Sequence, residues 1–312
     1  MKKALITGVT GQDGSYLAEY LLGLGYEVYG LVRRSTREYT PIPAVRYLVG
    51  DLIDGSSLMK ALDEAQPDEV YNLAADSFVG SSWDQPVEQA EITGLGALRL
   101  LEAVREVWCD AHVYQASTSE LFSGEIGESP QSEATPFHPR SPYGSAKLFA
   151  HSTAVNYRES YGMFVCCGIL FNHESPRRGA EFVTQRIAVQ VAELKLGRRD
   201  KIELGNMDAE RDWGYAPEYV AAMHHMMQLD VPDDYVVATG ETHTVHQFLH
   251  ACLEAAGLPD GVPIVSTSER PAEVHRLCGD PSKINSTGWH SVVRYRELAR
   301  MMYGAALARL GG

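Results

Sequence analysis

Short apolar runs alternate with amphipathic runs over the first part of the chain. Lys3 to Thr7, Glu27 to Val32, Tyr47 to Val49, Glu69 to Ala74, His112 to Ala116 and Phe164 to Leu170 are brief, apolar and rich in β-branched or aromatic residues, and read as strands. Ser15 to Leu24, Ser57 to Glu64, Ala90 to Val107 and Pro142 to Tyr161 carry helical spacing between them. Strand and helix in alternation predict an α/β fold, a doubly wound parallel sheet with helices on both faces. After Phe171 the pattern loosens. Loops rich in Arg, Gly, Pro and Asn separate helical runs at Thr184 to Leu196 and Pro217 to Leu229. Residues 1–171 are therefore expected to form one part and 172–312 a smaller C-terminal part that binds substrate. Tyr235 to Thr239 reads as a strand that returns to the first sheet.

The chain has 312 residues, 45% of them hydrophobic and 22% charged, which is ordinary for a soluble globular protein. A net charge of −14 and the lack of any basic block argue against a nucleic-acid partner. An anionic small molecule is still admissible, because local arginines can hold one; Arg177, Arg178, Arg186, Arg211 and Arg270 are candidates. The apolar run that follows Met1-Lys2-Lys3 is too short for a signal peptide. No apolar stretch approaches the roughly 18 residues of a membrane span. Five cysteines, odd in number and without CxxC spacing, suggest reduced thiols and a cytoplasmic protein. The histidines show no zinc-like spacing, so no metal is expected.

Open sheets of this kind bind ligands beyond the carboxyl ends of their strands, and the marked segments all fall there. Gly8-Val-Thr-Gly11-Gln-Asp-Gly14 follows the first strand and opens a helix. Its glycines permit a tight turn and the close approach of a pyrophosphate to a helix N-terminus, which makes the fold Rossmann-like. Arg33 and Arg34 end the second strand, where an acidic residue would take a ribose 2′-hydroxyl. Arginine suits a 2′-phosphate instead, so NADP is expected over NAD. Asp51-Leu52 follows the third strand and suits the adenine. Leu73-Ala74-Ala75 supplies small residues beside the cofactor, and Asp76-Ser77 either lies there too or caps a helix.

Tyr143 and Lys147 stand four apart on a predicted helix and share a face. A nearby ammonium should lower the phenol's pKa from its usual value of about 10. The pair then suits removal of an alcohol proton while a hydride leaves the carbon beneath. Ser117-Thr118-Ser119-Glu120 ends the fifth strand. A carboxylate there is more than alcohol oxidation requires and points to a second proton transfer, which separates a dehydratase from a dehydrogenase.

With these segments in view, the chain resembles the extended short-chain dehydrogenase/reductase family, and within it the GDP-mannose 4,6-dehydratase branch. Ala4 to Gly14, Tyr114 to Glu120, Pro139 to Tyr143, Gly168 to Gly179, Leu204 to Asp208 and Arg270 to Val274 carry the likeness. The resemblance implies that Thr118, Glu120 and Tyr143 are catalytic, with Lys147 supporting Tyr143 and Ser119 nearby. It implies NADP contacts from Gly8, Thr10, Gly11, Gln12, Asp13, Gly14, Arg34, Asp51, Leu52, Ala74, Ala75, Ser77, Lys147, His173 and Arg178. Asn172, Glu174, Val183, Arg186, Arg211, Arg270 and Glu273 would surround a GDP-sugar. The implied reaction oxidises C4, removes water across C5–C6 and returns the hydride to C6. The implied assembly is a homodimer or homotetramer, although the stretch between Ser35 and Arg46 is shorter than is usual in tetramers. Other nucleotide-sugars such as GDP-manno-heptose, a 4-reductase or epimerase, and an inactive binding protein are the alternative readings.

Overall fold

The structure is a computed structural model and describes residues 1–34, 39–108, 110–267 and 274–311. The first half runs β1 (Lys3–Thr7), α1 (Gln12–Gly23), β2 (Glu27–Val32), β3 (Arg46–Val49), α2 (Gly55–Ala65) and β4 (Glu69–Asn72). It continues through α3 (Pro86–Gln89), α4 (Gly96–Val107), β5 (His112–Ala116), α5 (Pro142–Tyr161) and β6 (Val165–Leu170). Then come β7 (Asn172–Glu174), α6 (Val183–Lys195), β8 (Ile202–Leu204), β9 (Glu210–Arg211), β10 (Trp213–Tyr215), α7 (Ala216–Met227) and β11 (Asp234–Val237). The chain ends with β12 (His243–Thr244), α8 (Val245–Ala256), β13 (Ile264–Ser266), β14 (Arg276–Leu277), α9 (Ser282–Ser286) and α10 (Tyr295–Gly311).

Among the described residues the main sheet has seven strands in the order β11-β6-β5-β4-β1-β2-β3, and every pairing in it is parallel. Strand alternation decides which helix packs where. Ala4, Ile6, Tyr71, Tyr114 and Cys166 point to the face covered by α1 and α7, where Leu17, Leu21, Met223 and Met226 meet them. Leu5, Val70, Val113 and Cys167 point to the other face, covered by Leu58 and Leu62 of α2, Leu100 and Leu101 of α4 and Ala154 of α5. The sheet is thus buried on both sides, as doubly wound sheets are. The strand expected at Tyr235 to Thr239 is β11, which pairs with β6 at the sheet's edge. The Met-rich run on α7 is core.

Most predicted elements stand within a residue or two of their expected bounds. The helix expected at Ala90 to Val107 differs. It starts at Pro86, and Ala90–Leu95 is wound as a π-helix before α4 begins. Within that segment the Gln89 amide donates to Thr93 Oγ1 at 2.8 Å, and a Cβ on Gly94 would meet Phe149 and Ala146 of α5. A third core, built by α6, α8 and α10, gathers Ile187, Val191, Phe248, Leu249 and Met302. The small sheets β7–β10, β8–β13 and β12–β9–β14 pack beside the helices of this core. The four described cysteines are free and buried. No helix among the described residues is long and apolar enough to cross a membrane.

Candidate active site

Strand order reverses at β1, so the loops after β1 and β4 diverge and open a crevice between them. A polar ladder fixes the strand tips beneath it. Thr7 Oγ1 donates to Asn72 Oδ1 at 2.8 Å and accepts from the Leu73 and Ala74 amides at 3.1 and 3.0 Å. Asn72 Nδ2 donates onward to Gln115 Oε1 at 2.8 Å. A continuous cleft of about 1490 Å³ rises from this floor and runs into the C-terminal half.

Gly11 is the N-cap of α1, and its amide donates to the Gly8 carbonyl at 3.0 Å. A Cβ on Gly14 would lie 2.2 Å from Gly8 O, so α1 starts that close to the turn only because position 14 is glycine. The helix therefore presents its amides to the cleft, a ready site for a phosphate. Gly8, Thr10, Gly11, Gln12, Asp13 and Gly14 all line the cleft, together with Arg33, Asp51, Leu52, Leu73, Ala74, Ala75 and Ser77. Arg34 is exposed and does not line it. Asp76 lines it as well and is not a helix cap: the short turn Ser81–Trp83 is preceded by Gly80, and Asp76 Oδ2 accepts from Ser81 Oγ at 3.3 Å.

The tip of β5 and the start of α5 supply the reactive groups. The Ser141 hydroxyl caps α5 by accepting from the Gly144 amide at 3.0 Å, and Pro142 occupies the first turn. Tyr143 and Lys147 then project from the first two turns. A Cβ on Gly144 would come within 2.6 Å of the Glu120 carbonyl, so glycine lets α5 press against the Ser119–Leu121 turn. Thr118 opens that turn; its hydroxyl accepts from the Glu120 amide at 3.2 Å and stands near enough to Tyr143 to act on its phenol. Thr118, Ser119, Glu120, Tyr143 and Lys147 all face the cleft.

The electrostatics correct one expectation. Burial raises the Tyr143 phenol above its ordinary value; the Thr118 hydroxyl opposes this, the Glu120 charge adds to it and Arg178 opposes it. The Lys147 ammonium is 5.9 Å from the centre of the Tyr143 ring, and burial outweighs it. Lys147 itself is pushed down to about 8 by burial, against the pull of Asp13. Its ammonium donates to Ala116 O at 2.9 Å and keeps two donors for a ligand. The Ser117 hydroxyl lies buried in the cleft with no protein partner. A cradle of bare helix amides, a lysine with donors to spare and an orphaned hydroxyl fit a dinucleotide.

On the far side of the cleft stand Asn172, His173, Glu174, Arg178, Val183, Arg186 and Arg211. Glu174 was expected around the substrate, but its carboxylate accepts from Thr184 Oγ1 at 2.5 Å and pairs with Arg178 Nε at 3.1 Å. It holds Arg178, whose guanidinium also lies 3.5 Å over the Phe182 ring. Arg186 donates to the Glu203 carbonyl at 3.2 Å, and Arg211 to the Glu210 carbonyl at 2.9 Å. Arg270 and Glu273 lie outside the described residues. Phe78, Phe182 and Thr184 also line the cleft, and the sequence reading missed them. The aromatic edge contact of Phe78 with Phe182 closes one wall, a pairing that no local spacing signals.

Away from the cleft, His151, Cys167 and Asp234 bring three ligand-type atoms within 4.8 Å of one another. Arg158 binds both Asp234 oxygens, at 2.9 and 3.2 Å, which spends that carboxylate's charge on an ion pair.

A family model described as GDP-mannose 4,6 dehydratase matches residues 5–302. The chain belongs to the GDP-mannose 4,6-dehydratase family. GDP-mannose 4,6 dehydratase 2 of Arabidopsis thaliana is 50% identical over 96% of this chain and 86% of its own length. GDP-mannose 4,6 dehydratase of Cricetulus griseus is 48% identical over 97% of this chain and 91% of its own. Among solved structures, UDP-glucose 4-epimerase of Thermus thermophilus in complex with NAD is similar, with a TM-score of 0.87 and 29% identity over 97% of this chain and 98% of that one. Membership of the dehydratase family agrees with the carboxylate at position 120, beside the tyrosine and lysine.

Proposed function

We propose that this enzyme is an NADP-dependent hydro-lyase that converts GDP-mannose to GDP-4-keto-6-deoxymannose. One observation carries the reading: Thr118, Glu120, Tyr143 and Lys147 converge in one cleft that also contains the glycine turn at α1. NADP, when bound, would take the hydride from C4 and give it back at C6. Tyr143 is assigned to accept the proton of the 4-hydroxyl. Thr118 and Arg178 oppose the effect of burial on Tyr143, although the phenol still stays above its ordinary value. The 4-ketone acidifies C5; Glu120 takes the C5 proton and passes it to the departing 6-hydroxyl as water is lost. A proton from solvent returns to C5 through Glu120 when C6 is reduced, balancing the proton that Tyr143 took from the 4-hydroxyl. Lys147 holds the ribose and supports Tyr143. Gly8 to Gly14, Arg33, Asp51-Leu52, Leu73 to Ala75, Ser77, His173 and Arg178 are assigned to NADP. Asn172, Val183, Arg186, Arg211, Arg270 and Glu273 are assigned to the GDP-sugar.

The division into a dinucleotide part, 1–171, and a mainly substrate-binding part, 172–312, belongs to the same reading, supported by Arg186 and Arg211 entering the cleft from the second part. So do a homodimer or homotetramer and a cytoplasmic location. Val87 and Phe149, exposed on the neighbouring helices α3 and α5, support self-association; light scattering after size exclusion measures it. Buried free thiols support a reducing compartment.

The test is to give the purified protein GDP-mannose with NADP and follow mass and absorbance. Expected is a product lighter by one water with no net NADPH. Glu120→Gln should keep NADP binding and lose dehydration by about 10²–10⁴-fold. A C4 epimer, net NADPH consumption, or full activity in Glu120→Gln would overturn the assignment.

A further inference from the structure

His173 and Asp13 meet across the two parts of the chain. His173 Nδ1 lies 2.7 Å from the Phe171 carbonyl, and Nε2 lies 2.8 Å from Asp13 Oδ2. A carbonyl only accepts, so Nδ1 carries a proton. Nε2 faces a carboxyl group, and between Asp and His the proton belongs by several ordinary pKa units to the imidazole. Both ring nitrogens therefore donate. We propose that His173 is a doubly protonated imidazolium, and that its pair with Asp13 is a positioning clamp that locks the phosphate-binding end of α1 against β7 and couples NADP affinity to the protonation of His173. The proposal rests on the NADP reading.

Other bonds run along the same seam. Gln12 Nε2 donates to the His173 carbonyl at 3.1 Å and to Asp13 Oδ1 at 3.0 Å, and Ser175 Oγ donates to Gln12 Oε1 at 2.8 Å. Arg177 reaches Ser15 Oγ at 3.0 Å and Glu19 at 2.9 Å. The first turns of α1 are thus stitched to residues 172–177, and among these bonds the His173–Asp13 pair is the one that depends on a titrating proton near neutrality. The ring also stacks on Tyr219 of α7, centre to centre 4.7 Å, which favours a cation.

The charges around the ring agree with this protonation. Burial opposes the imidazolium, but Asp13 and the Phe171 carbonyl outweigh it and Arg178 opposes it; the net direction is upward. Burial likewise opposes the Asp13 carboxylate, and His173, Gln12 and Arg178 outweigh it, so Asp13 moves down. Glu174 on β7 faces the ring as a third charged neighbour. Lys147 and Tyr143 on α5 and Tyr114 on β5 are coupled to it through Asp13. A cation whose folded pKa is raised is present below that value and lost as pH rises through it. Above it the neutral ring keeps only one of its two donors, so either Asp13 or the Phe171 carbonyl loses the ring as partner, and the clamp loosens.

The experiment reads the ring directly in the protein without cofactor. Nitrogen-15 NMR of His173 at neutral pH should show both ring nitrogens protonated, and Asp13→Asn should return the ring to the neutral form. Calorimetry of NADP binding from about pH 6 to about 9 should show affinity falling as the His173 signal titrates. Asp13→Asn and His173→Gln should bind about tenfold more weakly at the acid end and lose the part of the pH dependence that follows the His173 signal, keeping the decline through about 8 that belongs to Lys147. A neutral His173 ring in the wild type, or unchanged affinity and slope in a folded His173→Gln, would overturn the clamp. No NADP binding to wild type at any pH would overturn the cofactor reading and the coupling with it, whereas the ring signal decides the ion pair by itself.

Discussion

Lys147 holds its ammonium in a nearly dry place, with one protein acceptor, and burial pushes it down to about 8. The charged form then declines as pH rises through that value. If that charge supports Tyr143, kcat should fall on the alkaline side with a midpoint near 8, and Lys147→Met should remove most activity at every pH; a stopped-time assay across pH reads both. Tyr143→Phe should lower kcat by about 10²–10⁴-fold while NADP still binds, as intrinsic fluorescence would show. These residues were legible because their spacing is local: four positions on one helix, and a turn at one strand end. What Tyr143 experiences was not legible. A sequence shows the lysine beside it but not how completely both are buried, and burial reverses the direction of the phenol's shift. The Asp13–His173 bond was out of reach for a similar reason, since 160 positions separate the two residues.

At the scale of elements, β1, β2, β5 and α5 stand at their expected bounds because each has a clear period and a marked end, as with Ser141 before α5 and Gly162 after it. Strands of two or three residues such as β9, β12 and β14 carry too few positions to show a period, and they exist through pairing with distant partners. β9 itself carries Arg211 to the cleft. The turn into α1 depends on absent atoms. Gly14→Ala would place a methyl 2.2 Å from Gly8 O and 2.6 Å from Val9 Cα, against backbone that cannot yield cheaply. The variant should lose NADP affinity more than about tenfold by calorimetry while circular dichroism still reports a folded sheet. Farther off, Thr244 and Gln247 form a reciprocal capping box at the start of α8. Thr244→Ala should cost about 1 kcal/mol in urea unfolding and leave activity unchanged.

At the scale of the whole molecule, the two parts must keep a fixed relation, because the cleft takes walls from both. Asp212, fully buried between β9 and β10, helps to tie them. Its carboxylate accepts from the Thr239 amide and hydroxyl at 2.9 and 2.6 Å, from the Gly240 amide at 3.0 Å and from the Gly279 amide at 3.4 Å. Thr239 and Gly240 follow β11, the edge strand of the main sheet, so one side chain anchors the C-terminal part to the sheet's tip. Asp212→Asn keeps the shape but turns one acceptor into a donor facing these amides, and should cost about 1–3 kcal/mol. Burial pushes the carboxyl up to about 6 even against those bonds. A carboxyl raised above its unfolded value of about 3.9 stabilises the fold fully below that value. That contribution is lost as pH rises through the folded one. The wild type should therefore lose melting temperature relative to Asp212→Asn as pH rises from about 4 to about 7. Parallel melting curves that keep a constant gap across that range would show that Asp212 does not titrate there and that its four bonds act at a fixed charge.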